Sequence, residues 1–526
     1  VSTEVAPAPA PRRQRAAATI TQERRFDWFD VGVLTLFAAV SVWVLALDLY
    51  EVASHSNLVW TGTDGLFLND QMQYLAWIQD ASKHFLASDM FVLRGTPHDY
   101  FQPVIVVSAA LHAVGVSSWL ALLLWKPIAV AAAFFGVRAY IRRTLPGQFD
   151  RRVALVLALF FATWAAVGDE WMPFWTWGYP FGLLAIAAVA AALVSYDRAR
   201  IERRFTWAAP VLGLVASFTH PWQGEVLILI VIGAELVTFR RADGLRRIAL
   251  PAVTVVATVI PLLYYEALYR FDPAWHAAQQ ASRHVYSFSG IVVPLLPLII
   301  PAALAYRRRP RTFIDAATRV WPFTAIAIFV FSQTGISGTP LHAFDGITIP
   351  LAVLAVEGVL SIGFRGLPGW RLVAVALVAA ATIPGSVSQL KAAKYWASPQ
   401  GHNANFIYTG ERHALDYLAQ NRTPGGVLAR ATYLGVVVPA ETGRRTYAGG
   451  CLWSEPHCVD RIVNTRDLFV GAMKPAQAQA YVRSTGARFL LKDCYSPEVM
   501  AKLLGSMIVD TERFDCASVY QVRTGS

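Results

Sequence analysis

The chain is poor in charge. Lys, Arg, Asp and Glu make up 15% of its 526 residues, against about 25% in soluble domains. Hydrophobic residues reach 55%, so the roughly two to four soluble domains that this length would suggest give way to a membrane reading. Cysteine is scarce too: there are four, and none lies before Cys451. No GxxxxGK[ST], no HExxH, no GxGxxG after a strand and no heptad array occurs, which speaks against ATP-driven transport and zinc proteolysis. Few charges fall in the middle of the apolar runs, so the proton or ion relay of a coupled transporter is missing. The net charge of +11 does not indicate nucleic acid. Its basic residues sit in short loops between apolar runs, as topology signals do.

What is present is a series of long apolar runs, the mark of a polytopic α-helical membrane protein. Residues 1–28, Pro/Ala-rich and basic, read as a disordered cytoplasmic segment without a cleavable signal. The first span is Val31–Leu49. Pro103–Val114 is too short to cross about 30 Å of hydrocarbon and reads as an interfacial helix. Further spans are expected at Trp119–Tyr140, Val153–Val167, Phe181–Tyr196, Trp207–Phe218, Val226–Phe239, Ile248–Tyr265, Ile291–Tyr306, Val320–Gly335, Ile347–Gly363 and Leu372–Val387. Counting about eleven spans puts the basic loops on the cytoplasmic face, and the acidic, aromatic and His-bearing loops outside. The membrane part is thus 29–397, with a first extracytoplasmic loop at 51–118 that carries amphipathic helices.

That first loop holds Asp64, Asp70 and Asp80. Met72, Leu75, Ala76 and Ile78 recur at helix spacing, so Asn69 or Asp70 is expected as the N-cap of a helix. Asp70 reads either as that cap or as a general base whose pKa burial would raise. The second acidic loop pairs Asp169 and Glu170 among Trp171, Trp175, Trp177 and Tyr179. These carboxylates could cap a helix, bind a divalent ion such as Mg or Mn, or position an acceptor; the aromatics could anchor at the interface or stack on a sugar. His220 ends one span, and Glu225 lies just inside the next, where a carboxylate is costly. Arg270, Arg283 and His284 are cations on a face otherwise depleted of them, suited to a phosphate. His342 and Asp345 flank another helix entry and could reach the same group.

From about 398 to 526 the composition turns soluble, and alternating strand and helix patterns predict a small extracytoplasmic α/β domain. GVLAR, GVVVPA and RTYAG read as strands within it. All four cysteines, Cys451, Cys458, Cys494 and Cys516, lie there, which favours two disulfides. Connectivity is not fixed by sequence; Cys451–Cys458 and Cys494–Cys516 are expected because each pair flanks a local segment.

The topology, the loop NDQMQYLAWIQDA followed by HDYFQPVIVVSAALHAVG, the loop GDEW and the terminal region containing VPAETGRRTYAGG together resemble the GT-C class of integral-membrane glycosyltransferases. That class includes bacterial aminoarabinose transferases, protein mannosyltransferases and uncharacterised actinobacterial members. The resemblance implies a bacterial plasma-membrane enzyme that moves a sugar, with inversion, from a polyprenyl-phosphate donor to a glycan, lipid or protein acceptor of the cell envelope. It matches Asp70 to the catalytic acid, and Asp169 or Glu170 to a second-loop acid that binds metal or acceptor. Asp70-Gln71 stands where paired acids are common, which leaves metal dependence open. A lipid-linked saccharide flippase and a non-catalytic scaffold are the alternatives.

Overall fold

A computed structural model describes residues 26–64, 66–163, 170–238, 248–282, 287–333 and 340–523. Apolar runs in a bilayer must satisfy their backbone internally, and here they do so as helices. Among the described residues seven helices are long and apolar enough to cross: Ser118–Thr144, Pro180–Glu202, Pro221–Thr238, Ala249–Phe271, Phe288–Ala305, Phe313–Gln333 and Trp370–Trp396. Trp28–Ser41 and Trp43–Ser54, bent by 44°, make an eighth if they form one span.

Against the expectation of about eleven spans, three of the expected segments are shorter helices that do not pass this test of length. Gln148–Phe160, Ala208–Thr219 and Thr348–Ser361 are helices of 13, 12 and 14 residues, or about 18–21 Å at 1.5 Å per residue. The last two stop where polar residues enter the interior: Ala208–Thr219 ends at His220, and Thr348–Ser361 follows a 3₁₀ turn, Pro340–Phe344, that carries His342. Irregular backbone at this depth is tolerated where protein or a cavity surrounds it. The expected span Val153–Val167 ends within residues outside the description. At the opposite face, basic ends are held by buried acids: Arg138 and Arg142 lie 2.6 and 3.0 Å from Asp30, and Arg143 lies 2.6 Å from Asp197.

The first loop and the terminal region share a core. Strand β1 (Leu58–Trp60) pairs antiparallel with β2 (Phe406–Tyr408). Strands β3 (Val427–Ala429), β4 (Phe489–Lys492), β5 (Ile508–Phe514) and β6 (Ala517–Val522) form a sheet in the order β3-β4-β6-β5, in which only β3 and β4 are parallel. Met72, Leu75, Ala76 and Ile78 of the first-loop helix, Leu68–His84, are all buried and pack in one cluster with Val427, Val436, Phe489 and Val519. The expected strand GVVVPA is instead the buried helix Leu434–Thr442. A short apolar run does not reveal its period, and burial on all sides overrides the β preference of its valines. RTYAG contributes only an isolated bridge, Thr446 with Val427. The disulfides are Cys451–Cys458 and Cys494–Cys516.

Candidate active site

Between the first loop, the interrupted helices and the Cys451–Cys458 loop lies a cavity of about 760 Å³. Asp70, Glu225, Glu266, Glu455 and His342 line it, with Trp77, Tyr100, Trp275 and Trp453 among its aromatics. Among the described lining residues there is no lysine or arginine.

Asp70 reaches the cavity from the first turn of the Leu68–His84 helix. The helix begins three residues earlier than a cap at Asp70 would require, and two earlier than one at Asn69; Phe67 occupies the N-cap position without a side-chain bond. Asp70 is thus not the cap, and its carboxylate is free of that duty. The turn is fixed from behind: Gln71 Oε1 accepts the Asp64 N–H at 2.9 Å. The Asp64 carboxylate pairs with buried Lys126, whose Nζ also donates to Ser41 O at 2.9 Å and to Thr176 O. Gly178 lets the second loop approach this turn. Its φ is +100°, and a Cβ there would lie 2.0 Å from Gln71 Nε2. Burial raises the Asp70 carboxyl, and with the opposing charge of His342 it stands at about 6.

His342 belongs to a group of three. His220 Nε2 lies 3.7 Å and His342 Nδ1 3.4 Å from the same Asp345 oxygen. The two imidazole rings are 5.0 Å apart, framed by Trp175 and Trp222. His220 and Asp345 are fully buried, and neither nitrogen of His220 nor either carboxylate oxygen of Asp345 has a hydrogen-bond partner among the described residues. A neutral imidazole is the ligand form of histidine, and orphaned buried polar atoms call for a partner. The three groups fit a divalent ion. Two imidazoles and one carboxylate suit a transition ion better than magnesium, which prefers an all-oxygen shell.

The remaining expected residues fall out differently. Glu170 is buried and does not line the cavity, and Asp169 lies outside the described residues. Trp171 and Trp177 are buried in protein against Val40 and Val44, so they are not interface anchors; Trp175 and Tyr179 instead line the cavity. Arg270 is 67% exposed and pairs with Glu266 at 2.6 Å; it is not part of the lining. Arg283 and His284 lie outside the described residues, directly after Ser282, which does line the cavity. Sequence reading missed Glu266, Trp275, Trp453 and Glu455. The run of Tyr and Trp between 264 and 275 was the available signal for the second of these.

No protein-family model and no curated protein matches the chain. Solved structures do. The archaeal oligosaccharyltransferase AglB of Archaeoglobus fulgidus, in complex with an inhibitory peptide and a dolichol-phosphate, aligns with a TM-score of 0.55 at 13% identity over 90% of this chain and 70% of its own. The same enzyme tethered to an acceptor peptide containing the NVT sequon aligns with a TM-score of 0.55 at 14% identity, over the same shares. ArnT from Cupriavidus metallidurans bound to undecaprenyl phosphate gives 0.48 at 16% identity over 93% of this chain and 98% of its own. With its apolar helices, interrupted spans and terminal sheet, the chain shares its fold with the archaeal oligosaccharyltransferase.

Proposed function

We propose that the protein is a glycosyltransferase that moves a sugar from a polyprenyl-phosphate donor to a cell-envelope acceptor on the outer face of the bacterial plasma membrane. The observation that carries this reading is Asp70: a carboxylate in a large cavity, poised by burial near 6, where a general base works at neutral pH. Asp70 takes the proton of the acceptor hydroxyl. The hydroxyl oxygen attacks the anomeric carbon from the face opposite the phosphate, the carbon–oxygen bond to the phosphate breaks, and the configuration inverts.

The leaving phosphate needs positive charge, and four carboxylates in the lining cannot supply it. Arg283 and His284, next in the chain after Ser282, are the proposed cations, together with His342 of the lining; Arg270, outside the lining, is placed less favourably. A divalent ion held by His220, His342 and Asp345 would supply charge at the same wall. Glu170, with Asp169, is proposed as a support for the second loop's acceptor side. Two disulfides in the terminal region support placing residues 398–526, and with them the cavity, in the oxidising compartment outside the membrane. The N-terminus is then cytoplasmic, as the basic segment before the first span requires.

The test is transfer of labelled sugar from polyprenyl-phosphate donors in membranes, comparing wild type with Asp70→Asn at matched expression. Transfer by wild type and its loss in the variant supports the reading. Equal transfer by both moves the base elsewhere, and no transfer by either with several donors favours a flippase or scaffold.

A further inference from the structure

At the far end of the helix that carries Asp70, a second group of side chains converges, none of which lines the cavity. Asp80 and His84 stand one turn apart on the helix, so both project from the same side. The chain leaves the helix at Phe85 with φ +71° and folds back, held by a two-way bridge between Ala87 and Tyr100. This return brings His98 to the same carboxylate. His84 Nδ1 lies 3.0 Å and His98 Nε2 3.3 Å from one oxygen, Oδ1 of Asp80. The rings lie face near face, with centroids 3.9 Å apart.

We propose that Asp80, His84 and His98 form a binding site for a divalent transition ion of the zinc class. The spacing carries the argument. Zinc binds nitrogen and oxygen at about 2.0–2.1 Å in a tetrahedron, whose edges are then about 3.3 Å. The two nitrogen–oxygen separations match that edge, and all three donor atoms lie within 4.8 Å of one another. Two imidazoles and a carboxylate are the donor set zinc prefers, with a fourth position left to water. That position faces solvent, since His84 and His98 are 48% and 34% exposed while Asp80 is 5% exposed.

The carboxylate is oriented as ligating carboxylates are. Its other oxygen accepts the Ser88 N–H and the Ser88 hydroxyl, both at 2.8 Å. Ser88 Oγ in turn accepts from Arg445 at 3.0 Å. Arg445 is the nearby cation that would oppose a metal, but its guanidinium also donates to Asp89 O, Arg94 O and Thr96 Oγ1 and is held in that cradle. The consequence is mechanical. An ion here ties the helix end to the returning loop and, through Ser88 and Arg445, to the terminal region. Asp70 rides the same helix about 15 Å away at 1.5 Å per residue.

This site stands apart from the transferase reading and is tested without it. Protein purified without a polyhistidine tag is stripped with a chelator and dialysed against zinc. Bound metal is then counted by elemental analysis for wild type and for His84→Gln/His98→Gln, with His220→Gln/His342→Gln reporting the cavity cluster separately. Wild type should hold one more equivalent than the first variant, and zinc should raise its melting temperature more. The single change His98→Gln, on an exposed loop, leaves the helix intact and should weaken zinc binding about tenfold or more. Equal zinc content in wild type and the His84→Gln/His98→Gln protein, or no zinc uptake by wild type, would leave only an ion-paired cluster and overturn the proposal.

Discussion

Replacing Asp70 by asparagine keeps the shape of the side chain and removes its ability to accept a proton. Burial sets the wild-type carboxyl at about 6. Against an ordinary aspartate near 3.9, this costs the ionised form about 3 kcal/mol. About nine-tenths of the molecules then carry the base ionised at pH 7 and about one-tenth at pH 5. The sign follows directly: a raised carboxyl is active above its pKa and silenced below it. The transfer rate at low substrate should be level above pH 7 and fall about tenfold per pH unit well below 6. A carboxamide cannot replace the base, so the Asp70→Asn protein should lose roughly a factor of 10² to 10⁴. Its residual rate should also lack the acid limb. The assay is labelled-sugar transfer in membranes across a pH series, with protein amount checked by blotting. A variant rate within about tenfold of wild type, below the range of general-base effects, would refute the assignment. So would an acid limb near 6 that survives in the variant.

Four further outcomes are expected. His342→Gln removes the charge that pulls Asp70 down, so the midpoint of the acid limb should move above 6 in the same pH series; an unmoved midpoint contradicts the contact. If an ion sits at His220, His342 and Asp345, chelation should lower transfer, and zinc or manganese should restore it better than magnesium; restoration by magnesium alone would count against that donor set. Lys126→Met leaves the Asp64 carboxylate buried without its partner and should cost about 3–5 kcal/mol in thermal or denaturant unfolding, part of which Asp64→Asn in the same chain should recover. The paired change Cys451→Ser/Cys458→Ser opens a loop of sequence separation 7, worth about 2–3 kcal/mol. Because Trp453 lies in that loop and lines the cavity, KM for acceptor should rise more than kcat falls, and the reverse pattern would remove the loop from acceptor binding.

Composition and period were enough to settle the class of solvent and the broad plan. Apolar runs at charge-poor stretches can lie only in a bilayer, and period alone identified the helix that carries Met72, Leu75, Ala76 and Ile78, although the structure buries that helix on every face from Gln71 to Ile78. Cysteines confined to one terminal segment were enough to expect the two local disulfides. Beyond the reach of such signals were the places where distant segments meet. Ala208–Thr219 and Thr348–Ser361 read as full-length spans because hydropathy registers composition, not where a helix stops. Only the packed structure ends them at His220 and near His342, and so gathers two imidazoles and Asp345, with His342 near enough to act on Asp70. GVVVPA reads as a strand until the first-loop helix and the sheet enclose it on every side. Glu266, Trp453 and Glu455 carry no local signal that marks them as site residues, and Trp275 carries only the aromatic run that leads up to it. They meet only once the chain has folded, which brings all four to the cavity that Asp70 lines. Composition and period are local properties that a sequence displays, whereas a site is built from contacts between remote residues, which exist only once the chain has folded.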